Sequence, residues 1–234
     1  MANEADNAVN FVRDVLAACE RGPFAQVVYF VVLDKASKDN TLDLLRAFEQ
    51  SEPRLKVVWA PDNRGVVDAY VAGYRAALAS GADWILEIDA GYSHDPKEIA
   101  AFFPYLDGRF DCVFGSRFCP GGAITNSSWK RWMISRLGTV MANALLKTRL
   151  YDMTSGFQMF SRRALTAVME RGIRSRGPFF QTEMKAYCHG LRIVEVPIHY
   201  QAASHNVGRS ALKDALRTLW MLRQMRQRGE LFVS

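Results

Sequence analysis

Four short apolar runs, each separated from the next by a helical stretch, constrain this chain more than any other feature. Residues 26–33, 55–59, 84–88 and 112–114 read as buried strands, too uniformly apolar to alternate between core and solvent. Residues 7–21, 41–50, 66–80 and 96–105 carry helical spacing or helix-favouring composition. Strands and helices joined by short connections predict an α/β domain with a mostly parallel central sheet and helices on both faces. In such a sheet, ligands bind beyond the carboxyl ends of the strands. The segments found there, 34–39, 62–65, 89–94 and 115–122, are rich in Asp, Gly, Ser, Asn and Arg.

The second half is less regular. Helices are predicted over 129–147, 162–171, 179–189 and 210–228, with a loop holding a short strand over 151–160. A further strand over 193–196 is stopped by Pro197. No internal repeat or low-complexity linker interrupts the 234 residues, so a single domain over 1–234 is expected.

Composition excludes some function classes. With 49% apolar and 23% charged residues the chain is not a disordered tail. A net charge of +6 suits anionic partners without choosing among them. Cys19, Cys112, Cys119 and Cys188 lie far apart, which predicts free thiols rather than a metal or disulfide set. The first residues are acidic, unlike a secretion leader, and the apolar stretch 22–33 is too short to span a bilayer. A cytoplasmic protein, or one peripheral to a membrane, is expected.

Several residues could carry chemistry. Asp34 and Asp89 each end a buried strand, where a carboxylate can accept from a nucleotide or hold a divalent ion beside a diphosphate. Capping the next turn explains them equally well. Arg117 also follows a strand, and Arg131 and Ser135 sit four apart on one helix face. Guanidinium groups beside a hydroxyl suit a phosphate, although a solvated basic face has the same spacing. In the last helix, Leu212, Ala215, Leu216, Leu219, Leu222 and Met225 form a stripe with basic residues largely off it. That pattern fits an anionic membrane surface or packing on the sheet. Trp129, Trp132, Trp220, Phe179 and Phe180 fit a lipid-facing patch or ordinary core. Of the histidines, His94 and His205 fall in loops near the expected crevice.

Taken in order, these segments resemble the family 2 glycosyltransferases. Asn3-Glu4-Ala5-Asp6-Asn7 is similar to their NEaeN opening, and residues 33–41 resemble the VDDGSxDGT turn. Asn63-Arg64-Gly65 with Ala69 and Gly73 resembles the NxG helix start, and residues 89–96 resemble the DADxxHxP metal loop. Gly115-Ser116-Arg117-Phe118, Gly121-Gly122, Arg131 with Ser135, residues 152–157, residues 180–183, residues 195–198 and Gly208-Arg209-Ser210 resemble the polyprenyl-phosphate mannosyltransferase subgroup.

The resemblance implies a GT-A fold and inverting transfer of a hexose, mannose foremost, from a GDP- or UDP-sugar to a polyprenyl phosphate. Residues 1–120 would bind the sugar nucleotide and 121–234 the acceptor. Glu4, Asp34, Arg64, Asp89, Ala90, His205 and Arg209 would contact the donor, and Arg117, Arg131 and Ser135 the acceptor phosphate. Asp89, Arg117 and Arg131 would be the catalytic set, with Mg²⁺ or Mn²⁺ at Asp89. Glu183 would be a sugar or structural contact. A membrane surface or a membrane-anchored partner is implied, at the cytosolic face, and no nucleic acid.

The chain departs from the pattern in four places. Gly91 replaces the second acid of the metal loop, and Ser93 stands where another oxygen ligand is usual. The first turn reads Asp34-Lys35-Ala36 rather than Asp-Asp-Gly. His205 and Ala211 replace basic residues of the closing loop. The strand that precedes the NE motif is missing, so two interior sheet edges are expected to lack a partner, and a start several residues upstream is expected. A different acceptor, or a catalytically weakened homologue acting as a binding subunit, is the alternative function.

Overall fold

A computed structural model describes residues 1–126, 129–201 and 209–233; for residues 130, 131 and 209–212 it describes the backbone alone. The helices are α1 (Ala8–Cys19), α2 (Thr41–Glu49), α3 (Val66–Ala79), α4 (Trp129–Leu146), α5 (Arg162–Arg171), α6 (Phe180–Tyr187) and α7 (Arg209–Gln227). The strands are β1 (Tyr29–Leu33), β2 (Leu55–Trp59), β3 (Trp84–Glu87), β4 (Cys112–Ser116), β5 (Ala123–Thr125), β6 (Gln158–Ser161), β7 (Ile193–Pro197) and β8 (His199–Gln201). The segment Pro96–Tyr105 winds as a 3₁₀ helix: Asp95 caps it by accepting from the Lys97 amide, and Pro104 lacks the N–H that a further α turn would use.

The strands form separate ladders rather than one continuous sheet. β1 pairs with β2 in parallel, from Tyr29 opposite Leu55 to Leu33 opposite Trp59. The main sheet has the order β3-β6-β4-β7, with β6 antiparallel to both neighbours and β4 parallel to β7. β5 and β8 make a small parallel pair, each only three residues long, which is too short to leave a periodic signature in the sequence. Because β6 runs against both β3 and β4, those two strands point the same way and deliver their carboxyl ends to one edge.

Between β1 and β3 lies a cavity of about 1030 Å³, walled by Val31 and Val32 on one side and Ile85 and Leu86 on the other. Among the described residues, neither facing edge has a partner strand. These are the two edges expected to lack a partner.

Three apolar clusters hold the layers together. Phe114 and Phe160 of the main sheet pack with Leu165 of α5, Met184 and Tyr187 of α6 and Leu222 of α7. Phe11 and Val15 of α1 meet Phe102 and Phe157 on the other face. Val12 and Leu16 close α1 over Leu33 and Leu45. On α7, Leu219, Leu222 and Met225 of the predicted stripe are buried, whereas Leu216 is half exposed. All four cysteines are buried and unpaired.

Candidate active site

β3 leads directly into Asp89 and β4 into Arg117, so both emerge at the same edge of the sheet. Asp89 receives the Tyr70 hydroxyl on Oδ1, and its Oδ2 lies 3.6 Å from Nε2 of His94. Its side chain is 36% exposed, which leaves room for a ligand. Burial opposes ionisation of this carboxyl. His94, Tyr70 and Arg117 outweigh that effect and hold it below the ordinary carboxylate value. Asp89 therefore stays charged at the floor of the cleft.

His94 itself is 1% exposed and wedged between the rings of Phe157 and Tyr200, at centroid distances of 4.9 and 5.0 Å. Neither ring nitrogen has a hydrogen-bond partner among the described residues. A buried polar group without a partner is costly, so the gap it faces calls for explanation.

Asp34 behaves in part as the turn cap that its position allows. Oδ1 accepts from the Ala36 amide at 2.8 Å, and Oδ2 from Nδ2 of Asn63 at 3.4 Å. The Met1 ammonium donates to the Val32 carbonyl at 2.7 Å. Burial lowers its pKa, and Asp34, Glu4 and Asp89 offset part of that effect. Ala90 lines the large cavity. The Arg64 side chain is exposed, and its backbone N–H donates to Asp68 Oδ2 at 2.8 Å.

Arg117 is buried, with 8% of its surface exposed. Nε and Nη2 donate to the two oxygens of Asp152 at 2.7 and 2.8 Å, and Nη2 also donates to Thr154 Oγ1. Its guanidinium carbon lies 5.3 Å from the Phe118 ring centre and 5.5 Å from that of Tyr200. Buried Asp152 is held well below the carboxylate range: desolvation works against ionisation, and Arg117 and Lys185 overcome it. Lys185 is fully buried and donates to the Asp152 carbonyl at 2.7 Å. Ser135 is half buried on α4, whose backbone also carries Arg131. The Arg131 and Arg209 side chains and His205 lie outside the described residues.

The floor is a buried polar network that the sequence did not single out. Glu87 accepts from the Tyr74 hydroxyl, from Nε2 of Gln181, and from Nε2 of Gln158 at 2.9 Å. Burial nonetheless pushes its pKa up to about 8 against those three donors. A Cβ at Gly156 would stand 2.9 Å from Gln181 Nε2, so glycine there gives the network room. Above it, a cavity of about 220 Å³ is lined by Tyr70, Asp89, Thr154, Gly156, Phe180 and Gln181. The four-residue spacing of Tyr70 and Tyr74 on α3 was the available signal, since it sets both hydroxyls on one face. Glu183 is fully buried and accepts from the amides of Arg174 and Ser175 at 2.9 and 2.8 Å and from Tyr187 Oη at 2.6 Å, a structural contact.

A carboxylate and a guanidinium stand at the carboxyl edge of an α/β sheet, above a cleft, where ligands of such sheets bind. The sequence model of Glycosyl transferase family 2 matches residues 1–168, and the chain belongs to that family. It is a glycosyltransferase. It is 28% identical over 232 residues to the polyprenol monophosphomannose synthase of Mycolicibacterium smegmatis, covering 98% of this chain and 85% of that protein. It is 34% identical over 172 residues to the undecaprenyl-phosphate mannosyltransferase of Micrococcus luteus, covering 73% and 70%. In structure it is similar to glucosyl-3-phosphoglycerate synthase from Mycobacterium tuberculosis in complex with phosphoglyceric acid. The TM-score is 0.63 at 18% identity, covering 98% of this chain and 77% of that one. The same enzyme with Mn²⁺, UDP and phosphoglyceric acid gives 0.63 at 17%, covering 98% and 76%. The fold is GT-A.

Proposed function

We propose that this chain moves a hexose, mannose foremost, from a nucleoside diphosphate sugar to a polyprenyl phosphate, with inversion at the anomeric carbon, at the cytosolic face of a membrane. The observation that carries this reading is an ionised, open Asp89 with Arg117 in electrostatic reach beside it. The printed names of the two mannosyl-transferring relatives support the substrate pair.

The chemistry needs few groups. A phosphate oxyanion is already a nucleophile, so no general base has to be found. Rate then depends on aligning it behind the anomeric carbon and on stabilising the departing diphosphate. In this reading residues 1–120 hold the donor, with Glu4, Asp34, Arg64, Ala90, His205 and Arg209 along the nucleotide and Asp89 at the diphosphate. Residues 121–234 present the acceptor, with Arg131 and Ser135 on its phosphate. Asp152 already takes Nε and Nη2 of Arg117, which leaves Nη1 for the acceptor.

Mg²⁺ or Mn²⁺ fits the residues present in one respect and falls short in another. Asp89 is a hard oxygen donor, held charged and open, with the unpartnered His94 behind it. Among the described residues, however, no group of three potential ligands is gathered. Such a cation is commonly held by one or two carboxylates plus substrate phosphates and water, so Asp89 and the donor diphosphate suffice for attachment. When bound, the ion supplies positive charge at the leaving group.

An apolar surface supports the membrane assignment. On α4, Ile134, Leu137 and Met141 follow one stripe and are 49%, 51% and 41% exposed; Trp132 is exposed nearby. α7 packs against α4 and exposes Leu216 and Trp220 one turn apart, with Arg223 stacked on Trp220 at 5.6 Å. Exposed tryptophans beside basic side chains suit an anionic lipid interface. Among the described residues, no helix is long and apolar enough to cross a membrane.

Incubation with radiolabelled GDP-mannose, UDP-glucose and other donors, together with undecaprenyl phosphate in vesicles, tests the proposal. Label extracted into organic solvent is the expected result, with GDP-mannose the best donor. Absence of lipid-linked label from every donor overturns it. Arg131→Ala should cut transfer far more than donor binding, and equal losses would remove Arg131 from the acceptor site.

A further inference from the structure

The packing around His94 does not explain why the residue is a histidine. Its side chain is 1% exposed, and neither ring nitrogen has a hydrogen-bond partner among the described residues. The ring lies between those of Phe157 and Tyr200, contacts that a phenylalanine would make as well. An apolar ring would be the more stable choice there, because a buried polar atom left unpaired forfeits its bonds to water. The nitrogens need a use outside the packing.

The chain holds this ring from both sides. The Ser93 carbonyl accepts from the Gln201 amide at 2.9 Å, and His94 and Tyr200 form an antiparallel bridge. Asp95 then caps the following helix by accepting from the Lys97 amide at 2.9 Å. His94 cannot shift far without breaking one of these.

Its Nε2 stands 3.6 Å from Oδ2 of Asp89, just beyond hydrogen-bond length. Asp89 is the freer partner, with a side chain 36% exposed, so a small turn of the carboxylate closes the gap. The other oxygen, Oδ1, already receives the hydroxyl of Tyr70, whose ring packs 4.9 Å from that of Phe180. One fixed donor on each oxygen sets the plane of the carboxylate and leaves its remaining lone pairs to the cleft. A single N–H suffices, since the neutral imidazole can carry it on Nε2.

We propose that His94 is a positioning residue for Asp89: its Nε2–H bonds Oδ2 when a nucleoside diphosphate and its cation engage Asp89, and with Tyr70 it locks the carboxylate in the orientation that holds them. The proposal rests on Asp89 being the donor's cation contact. It adds that the strength of this contact depends on a histidine that touches neither donor nor acceptor. Partners that orient a metal-binding carboxylate in this way matter to affinity nearly as much as the ligand itself.

Urea unfolding of the metal-free chain, together with calorimetric titration of GDP and of UDP in Mn²⁺ and in EDTA, separates this role from packing. The parent chain should bind one nucleotide more tightly with Mn²⁺. His94→Phe keeps a ring between Phe157 and Tyr200 and removes the nitrogens, so its urea midpoint should equal the parent's or exceed it. It should nevertheless lose at least about tenfold of the Mn²⁺ gain, with the EDTA affinity unchanged. His94→Gln, whose amide nitrogen can take the place of Nε2, should unfold at lower urea yet recover most of that gain. Stability and binding then rank the two variants in opposite orders, which a packing role would not produce. A full Mn²⁺ gain in His94→Phe overturns the proposal, as does a gain that falls with the urea midpoint in both variants, or a loss that is equal with and without Mn²⁺. Asp89→Asn in the same titration keeps the two readings apart. If it loses the gain while His94→Phe does not, the histidine's role alone is refuted. A gain that survives Asp89→Asn, or a parent chain with no gain, overturns the cation reading of Asp89 and the proposal with it.

Discussion

Asp89 and Asp152 are the same residue type in two opposite conditions, with Arg117 acting electrostatically on both. Asp152 is 0% exposed and every direction around it is used. Arg117 donates from its backbone N, Nε and Nη2, and the amides of Thr154 and Ser155 donate at 3.0 and 3.1 Å. Asp89 has the Tyr70 hydroxyl, a histidine just out of reach, and solvent. Burying a carboxylate costs several kcal/mol, which a matched guanidinium and amides offset at position 152. At position 89 the cost is limited by leaving the group open. The difference separates an acid that holds the fold from one kept available, and it shows that most of the Arg117 charge is already committed.

The largest effect should come from breaking the closed half. Asp152→Asn leaves Arg117 buried beside a neutral amide and should cost about 3–5 kcal/mol in urea unfolding. Asp89→Asn, at a partly exposed site, should change stability by less than about 1 kcal/mol yet abolish the Mn²⁺-dependent part of donor binding. Similar stability losses in the two variants would erase the distinction between them.

Glu87 sharpens the comparison beneath both acids. Its ordinary pKa of 4.5 rises to about 8 on folding, with burial the largest cause. Between those values the folded chain keeps a proton that the unfolded chain has released. Its contribution to stability is therefore complete below about pH 4.5 and is lost as pH rises toward about 8. The slope is at most on the order of 1 kcal/mol per pH unit. Glu87→Gln should flatten this decline in urea unfolding measured from pH 5 to 8. An unaltered slope would assign the pH dependence to another group.

The sequence revealed more of the edge than of the floor. Asp34, Asp89 and Arg117 were legible because each follows an apolar run, and the chain must expose what comes after a buried strand. Helices α2, α3 and α5 were legible from spacing and composition. β6 was seen only as a short strand in a loop, and its antiparallel direction depends on how the chain returns from α4, which no local pattern encodes. Glu87 was hidden because an acid inside an apolar strand looks like an interruption until Tyr74, Gln158 and Gln181, drawn from three distant segments, are brought around it.

Thr154 stands on the boundary between the two halves, and the smallest predicted effect tests where that boundary runs. Its hydroxyl accepts from Nη2 of Arg117, it also lies 3.2 Å from Oδ1 of Asp152, and its side chain helps line the small cavity beside Asp89. Thr154→Val preserves the shape and removes the hydroxyl. If Thr154 belongs to the sealed shell of Asp152, the change should cost about 1.5–3 kcal/mol, the range for a hydrogen bond to a charged group, and should leave Mn²⁺-dependent GDP binding intact. The opposite pattern, unchanged stability with weakened donor binding, would move Thr154 to the open half. Arg117 would then belong to the ligand more than to the fold, because the hydroxyl that helps orient its Nη2 would be serving the cleft.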